Sequence, residues 1–193
     1  MTSSFTRSAR ADVNRCLCSG ATSLRQVFGA VWREAGLKAV LVYRFGRLLT
    51  LQGKRVEVWP LLPFGWLVYV LAALLVRTCY GIRLSLTADI GAGFWVGHFG
   101  GIEVVNCRLG ERCSVGQQTK VGRGTERNGP QIGNGVWIGA HARIFGVTRV
   151  GDGATIAPGA RVSTDVPSHA LVVGNPARVV LRGYDNSAIL PGV

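Results

Sequence analysis

Branched aliphatic residues recur at a spacing of six through the second half of the chain. Glycine, small and polar residues fill many of the positions between them. A fixed short period indicates stacked, near-identical units, and a period of six is typical of a parallel β-helix. The thirteen apolar positions are Leu84, Ile90, Val96, Ile102, Leu109, Val115, Val121, Ile132, Ile138, Ile144, Val150, Ile156 and Val162.

Positions 2 and 5 of the unit support this interpretation. Glycine often occupies position 2, where the chain is expected to turn a corner, and glycine tolerates the positive φ that a tight corner favours. Position 5 is small or modest in size, which predicts a second row of side chains pointing into a narrow prism. The glycines are Gly91, Gly97, Gly110, Gly116, Gly122, Gly133, Gly139 and Gly151, and the position 5 residues are Ala88, Cys113, Thr119, Thr125, Ala142, Thr148, Ala154 and Ala160.

Three units per turn would stack every third unit at the inter-strand spacing of about 4.8 Å. The period breaks by one residue between Ile102 and Leu109 and by five residues between Val121 and Ile132. The second break predicts a loop over 123–131. Its polar, turn-rich composition suits either a binding loop or a plain surface insertion.

The residues before the repeats predict helices. Residues 1–20 are rich in Ser, Thr and Arg without any period, which predicts disorder. Apolar positions at helical spacing in 21–57 predict one or two amphipathic helices. In the uncharged run 58–76, prolines crowd the first third, so a continuous apolar helix is expected near 64–78. The predicted organisation is a helical segment over 21–80, a coil over 81–167 and a closing tail over 168–193.

Positive charge is concentrated beside the apolar helix. The net charge is +12, and residues up to 57 contain ten Lys and Arg against three Asp and Glu. A basic segment next to an apolar one suits the anionic inner leaflet of a membrane, although a solvated helix face explains the arginines equally well. Three placements of the apolar helix fit the sequence. It spans a bilayer, lies on the surface of a bilayer, or packs on the prism. No element for reading nucleic acid is evident, and the start lacks a secretory signal, which predicts a cytoplasmic protein.

The cysteines and histidines do not predict a metal site. The five cysteines are an odd number without metal-ligand spacing, which fits a reduced compartment. The three histidines, His98, His141 and His169, have no close helical or strand relation to one another. His98 occupies position 3 of its unit, which points outward from the prism.

Two segments resemble the serine O-acetyltransferase family of hexapeptide-repeat acyltransferases. The segment Ile90 to Asn106, which reads IGAGFWVGHFGGIEVVN, is similar to the segment that carries the catalytic histidine in that family. The segment Val173 to Val179, VGNPARV, is similar to the motif that closes such coils. The resemblance covers about residues 60–182. It implies a left-handed parallel β-helix, a homotrimer, and acetyl-CoA bound as co-substrate in the groove between neighbouring subunits.

The resemblance also implies the site residues. His98 would be the general base, and the cofactor arm would run past the outward residues that stack above it, Gln117, Ala140 and Pro158. Arg178 would meet a cofactor phosphate. Glu103, Asp89 or a backbone carbonyl could orient the imidazole.

The chain departs from the serine enzymes where free serine is bound. Gly97 and Arg83 replace two aspartates of that family, and Asn128 and Gly129 replace an Arg-His pair. The apolar helix followed by Tyr80-Gly-Ile resembles the branch associated with exopolysaccharide or capsule synthesis. The sequence therefore predicts an acetyl-CoA-dependent O-acetyltransferase that acts on L-serine or a sugar hydroxyl. The alternatives are an inactive trimeric scaffold and a membrane-surface module.

Overall fold

The computed structural model describes residues 2–17, 24–52, 62–97, 100–122 and 129–190. The described elements are four helices, fifteen short strands and one 3₁₀ helix over Ser187–Ile189. The helices are α1 (Thr2–Leu17), α2 (Leu24–Arg33), α3 (Ala35–Gln52) and α4 (Leu62–Tyr80). The strands are β1 (Ile82–Leu84), β2 (Asp89–Ile90), β3 (Trp95–Val96), β4 (Ile102–Val104), β5 (Arg108–Leu109), β6 (Ser114–Val115), β7 (Lys120–Val121), β8 (Gln131–Ile132), β9 (Trp137–Ile138), β10 (Arg143–Ile144), β11 (Arg149–Val150), β12 (Thr155–Ile156), β13 (Arg161–Val162), β14 (Ala170–Val173) and β15 (Arg178–Arg182).

The strands form a parallel β-helix with three strands per turn. From β1 to β10, each strand pairs in parallel with the strand three further along the chain, and β12 pairs with β14, which gives three sheets around the prism. The first sheet is β1-β4-β7-β10-β13, the second is β2-β5-β8-β11, and the third is β3-β6-β9-β12-β14. Strand β15 then turns back antiparallel to β14. The predicted fold class is confirmed, and the left hand of the coil stays an expectation of the resemblance.

The helical segment begins earlier than the sequence predicts. Residues 2–17 form α1, so the prediction of disorder is wrong for them, and 18–20 lie outside the described residues. The helix forms because Asp12 and Arg15 are buried against the coil, a long-range interaction that composition does not reveal. The predicted apolar helix is α4. Residues 123–128 of the predicted loop lie outside the described residues.

The first break in the repeat falls at a different place from the one predicted. Val104, not Ile102, pairs in register with Val121, while Ile102 pairs with Ile82. Both Ile102 and Val104 are buried because β4 is three residues long and directs its two ends inward. The extra residues therefore lie before β4, in the corner that follows β3.

The glycines at position 2 have a different role from the one predicted. Of the eight, only Gly122 has a positive φ, at 82°. A Cβ on Gly116 would lie 2.6 Å from the backbone nitrogen of Ala140, and one on Gly133 would lie 2.7 Å from that of Asp152. Glycine is required there because adjacent turns approach closely. The left-handed corners fall two residues later, for example at Gln118 and His141.

The predicted inward row is confirmed for its described members. Ala88, Cys113, Thr119, Ala142, Ala154 and Ala160 are fully buried, Thr148 is nearly so, and Thr125 lies outside the described residues. Burial raises the pKa of the Cys113 thiol to about 11. These small side chains fill the interior of the prism together with the aliphatic row.

Helices α1 and α3 dock on the first turns of the coil through buried polar groups. The Tyr43 hydroxyl donates to the carbonyl of Ala88 at 2.8 Å, and the Arg44 guanidinium donates to the carbonyl of Ile90 at 2.6 Å. Asp12 accepts from the backbone N–H of Phe94 at 2.8 Å. The helical segment and the coil therefore share one core.

Candidate active site at a corner of the coil

The corner between the third and first sheets contains the residues that the sequence analysis aligned in a column. Val96 pairs with Val115, Val115 with Ile138, and Ile138 with Ile156. These pairings confirm the stacking from which the column was predicted. The three turns that follow β3 therefore each contribute one described residue to the outer corner, two positions after the aliphatic residue.

The upper residues of the column stack directly. His141 N–H donates to the carbonyl of Gln117, and Gly159 N–H donates to the carbonyl of Ala140, both at 2.8 Å. Gln117 and Pro158 are exposed, and Ala140 is half-buried. The short side chains of Ala140 and Pro158 leave this part of the corner open, as a thin pantetheine arm would require.

His98 and Phe99 lie outside the described residues, but the residues on either side of them define the corner. Gly97 N–H donates to the carbonyl of Val115 at 2.7 Å, so Gly97 lies beneath Gly116. Gly101 lies beneath Gln118. Three residues separate Gly97 from Gly101, whereas one separates Gly116 from Gln118. The first turn thus has two more residues at this corner than the turn above it.

The two candidate carboxylates for orienting His98 are placed differently. Glu103 lies on β4, the strand that follows the extended corner, and accepts from Arg83 at 3.0 Å. Asp89 lies on the second sheet, where it forms ion pairs with Arg47 at 3.1 Å and with Arg108 at 3.8 Å. Of these two carboxylates, Glu103 is therefore the one on a strand that adjoins the corner between Gly97 and Gly101.

Arg178 lies at the opposite end of the coil from β3. It begins β15, is exposed, and donates from Nη1 to the carbonyl of Ala177 at 3.3 Å. Ala177 N–H in turn donates to the carbonyl of Arg161 at 2.9 Å, which fixes the position of Arg178 just beyond β13. Its guanidinium remains available to an anionic ligand at this end.

The sequence analysis missed a row of basic residues beside this column. Lys120, Arg143 and Arg161 occupy position 6 of their units, three residues after Gln117, Ala140 and Pro158 respectively. Their spacing matches whole turns of the coil, which is the signal that could have revealed them. They line a cavity of about 250 Å³ together with Ile144 and Phe145.

The chain is similar in sequence and in fold to known acetyltransferases. Residues 129–164 match the family described as bacterial transferase hexapeptide (six repeats). The chain is 30% identical over 155 residues to serine acetyltransferase 4 of Arabidopsis thaliana, an alignment covering 78% of this chain and 41% of the plant protein. The crystal structure of serine acetyltransferase from Vibrio cholerae O1 biovar El Tor superposes with a TM-score of 0.77 and 26% identity, covering 98% of this chain and 70% of that one.

The chain is similar to serine acetyltransferases, and one segment of it matches a hexapeptide-repeat transferase family. A shorter stretch of this acetyltransferase-like chain, 58 residues or 30% of it, is 47% identical to the chloramphenicol acetyltransferase of Agrobacterium fabrum, of which the stretch covers 28%. The chain spans less than half the length of the plant relative.

Proposed function

We propose that this protein transfers an acetyl group from acetyl-CoA to a hydroxyl acceptor. The observation that carries the proposal is the extended corner between Gly97 and Gly101, where His98 is in the sequence and above which the small residues Ala140 and Pro158 stack. The likeness to acetyltransferases supports the same chemistry. Gln117 and Arg178 complete the set of residues that we propose contact the cofactor.

In this mechanism His98 acts as a general base. The imidazole removes the proton of the acceptor hydroxyl, the oxygen attacks the thioester carbonyl, and the carbon–sulfur bond breaks. The CoA thiolate leaves and takes up a proton. Backbone N–H groups at the edge of the groove would stabilise the oxyanion. We further propose that a homotrimer forms the groove between neighbouring subunits.

The acceptor we favour is a sugar hydroxyl rather than free serine. Gly97, Arg83, Asn128 and Gly129 replace residues that bind or orient serine in the resembling family. The relative named chloramphenicol acetyltransferase supports a wider range of acceptors for this kind of coil. Thiol release with nucleotide sugars and polysaccharide fragments, compared with L-serine, distinguishes the two. Turnover with serine alone would contradict the sugar assignment.

Replacing His98 tests the mechanism directly. We expect His98→Ala to lower kcat for thiol release by about 10²- to 10⁴-fold, because the general base is lost. His141→Ala is the matched control, since His141 is exposed and lies in the same corner two turns further along. It should retain activity. Full turnover by His98→Ala, with an unchanged circular dichroism spectrum, would contradict the mechanism.

We propose in addition that the protein contacts the cytoplasmic face of an anionic membrane through α4. The outer side of this helix carries an unbroken apolar stripe, the α4 stripe, whose members are 41 to 68% exposed: Phe64, Leu67, Val68, Leu71, Leu74 and Leu75. The spacing of three and four residues places them on one face. By length and composition α4 is also long enough to cross a membrane.

The packing of α4 favours a helix that lies on the bilayer over one that spans it. Its inner side fits closely against α3, where Tyr69 contacts Gly46 and Leu49 approaches Gly65. A spanning α4 would carry α3, with its Arg47, into the hydrocarbon, which is costly for a charged side chain. An interfacial α4 leaves α3 in water and places the basic N-terminal helices near anionic lipid.

A further inference from the structure

The outward positions of the first sheet carry charged residues on every turn. Neighbouring strands pair Arg83 with Glu103, Glu103 with Lys120, Lys120 with Arg143, and Arg143 with Arg161. We call Lys120, Arg143 and Arg161 the cationic row. Adjacent strands are about 4.8 Å apart, so the row places three positive charges within two strand spacings.

Within the described part of the chain, the residues of the cationic row form no ion pair, although Glu103 lies opposite Lys120 on the neighbouring strand. Glu103 forms an ion pair with Arg83, and none of the ion pairs between described residues includes Lys120, Arg143 or Arg161. On the second sheet, by contrast, Arg108 lies directly opposite Asp89. Like charges opposite one another on adjacent strands are destabilising, and Arg143 has a like charge on both sides, so this part of the row is best satisfied by an anion.

The cavity beside the row has the chemistry of a phosphate site. Two guanidinium groups and an ammonium group border its volume of about 250 Å³. Arg161 lies over the Phe145 ring, with its Cζ atom 4.9 Å from the ring centre, which restrains the guanidinium. Guanidinium groups bind phosphate oxygens in a bidentate manner, and a neighbouring ammonium adds charge.

The row runs alongside the column of Gln117, Ala140 and Pro158. Each row residue follows a column residue by three positions, so the two Cα atoms of each such pair are at most about 11 Å apart. Lys120 belongs to the turn next to that of His98, while Arg178 lies beyond the last row residue. The pantetheine arm separates the phosphates of CoA from its thioester, so cofactor phosphates suit the Arg178 end and leave Lys120 and Arg143 for another ligand.

We propose that the cationic row binds a phosphate group of the hydroxyl acceptor. The acceptor is then a phosphorylated or nucleotide-linked molecule, which carries its anionic group beside the reacting hydroxyl. This inference rests on the proposed function for the identity of the ligand. The phosphate chemistry itself is shared with CoA, so the experiment must separate the two sources.

Titration with inorganic pyrophosphate tests the site without any need for turnover. Calorimetry on the full chain at constant ionic strength should show binding that persists when CoA is saturating. Arg143→Gln should weaken it by about tenfold to a hundredfold, as expected for losing charge-assisted hydrogen bonds. Arg149→Gln, at an exposed outward position on the second sheet, is the matched control and should bind normally. His98→Ala should also bind normally, so failure of the proposed catalysis would leave this result standing.

Steady-state kinetics provide the second arm. Lys120→Gln should raise KM for the acceptor and leave KM for acetyl-CoA unchanged. Absence of pyrophosphate binding, or its displacement by CoA, would overturn the proposal. A lower oligomer mass for Arg143→Gln in light scattering would overturn it as well, because the row would then be a contact between protomers.

Discussion

At the scale of single residues, the ion pair between Asp12 and Arg44 joins the helices to the coil. The carboxylate and the guanidinium are 2.9 Å apart and almost fully buried. Burial raises the pKa of Asp12, although the hydrogen bond and charge of Arg44 oppose this shift. The pair also bonds to the backbone of the coil: Arg44 donates to the carbonyls of Ile90 and Gly91, and Asp12 accepts from the N–H of Phe94. A buried charge that is fully hydrogen-bonded holds its neighbours in one arrangement.

Removing either partner alone should be far more harmful than removing both. We expect Asp12→Ala or Arg44→Ala to lower the free energy of unfolding by about 3 to 5 kcal/mol, because each leaves an unpaired buried charge. The double substitution should cost less than the sum. Arg47→Ala is the control, since its pair with Asp89 is exposed and is expected to contribute about 0 to 1 kcal/mol. Urea denaturation of the four variants measures their free energies of unfolding. If the losses of the two single substitutions add up to the loss of the double substitution, Asp12 and Arg44 are not coupled.

At the scale of the structural element, glycines serve two separate purposes in the corners of the coil. Gly133 has no room for a Cβ, which would lie 2.7 Å from the backbone nitrogen of Asp152. Gly135, two residues later, has a φ of 61° and open space around it. The first glycine permits the close approach of two turns, and the second permits a left-handed corner.

The two roles predict different costs for alanine. Gly133→Ala should lower the free energy of unfolding by about 3 kcal/mol, at the upper end of the range for overpacking, because the next turn must shift. Gly135→Ala should cost about 1 to 2 kcal/mol, the strain of a left-handed alanine. Chemical denaturation of both variants shows which substitution lowers the free energy of unfolding more. A larger loss for Gly135→Ala would show that the corner conformation, and not the stacking distance, dominates.

The coil could be predicted from the sequence because every turn repeats the same six-residue pattern. The aliphatic spacing and the small inward residues such as Ala142 determine three strands per turn. The predicted register was wrong at Ile102. Ile102 and Val104 are both buried, and hydrophobicity alone does not show which of them is the aliphatic position of the unit. Only the pairing of Val104 with Val121 reveals that the extra residues precede β4.

The candidate site was only partly predictable. The column through Gln117, Ala140 and Pro158 follows from counting units, and the structure stacks the three as expected. The catalytic role of His98 came from resemblance and stays a prediction, as do the roles of the column residues and of Arg178. The cationic row was missed because basic residues on a strand normally indicate a solvated face. Their significance appears only when the turns are stacked and no carboxylate lies among the three.

At the scale of the whole molecule, one end of the coil is covered by helices and α4 presents the α4 stripe to the outside. A cleft of about 440 Å³ lies between α3, α4 and β1, with Arg77 and Arg83 among apolar lining residues. Apolar surface bordered by cations is the arrangement expected of a helix that lies at the interface of an anionic bilayer. The position of α4 therefore determines which side of the molecule would face lipid.

A charge in the α4 stripe should abolish membrane binding. We expect the unaltered protein to sediment with vesicles that contain anionic phospholipid, less so as the salt concentration rises, and Leu71→Asp to remain in solution. Val147→Asp is the matched control, because Val147 on the coil is 58% exposed and Leu71 is 57% exposed. It should sediment normally. If Leu71→Asp instead reduces the oligomer mass and vesicles bind neither protein, the stripe contacts a second copy of the chain.

The antiparallel return of β15 determines where growth of the β-helix stops. A parallel solenoid presents unpaired N–H and carbonyl groups on its last turn, and such an edge can recruit another chain and polymerise into a fibre. Here the last turn pairs with a strand of opposite direction, exposed throughout and bearing an arginine at each end. Helices cover the first turn. The third sheet therefore ends in an antiparallel, charged edge, which does not serve as a template for a further parallel turn.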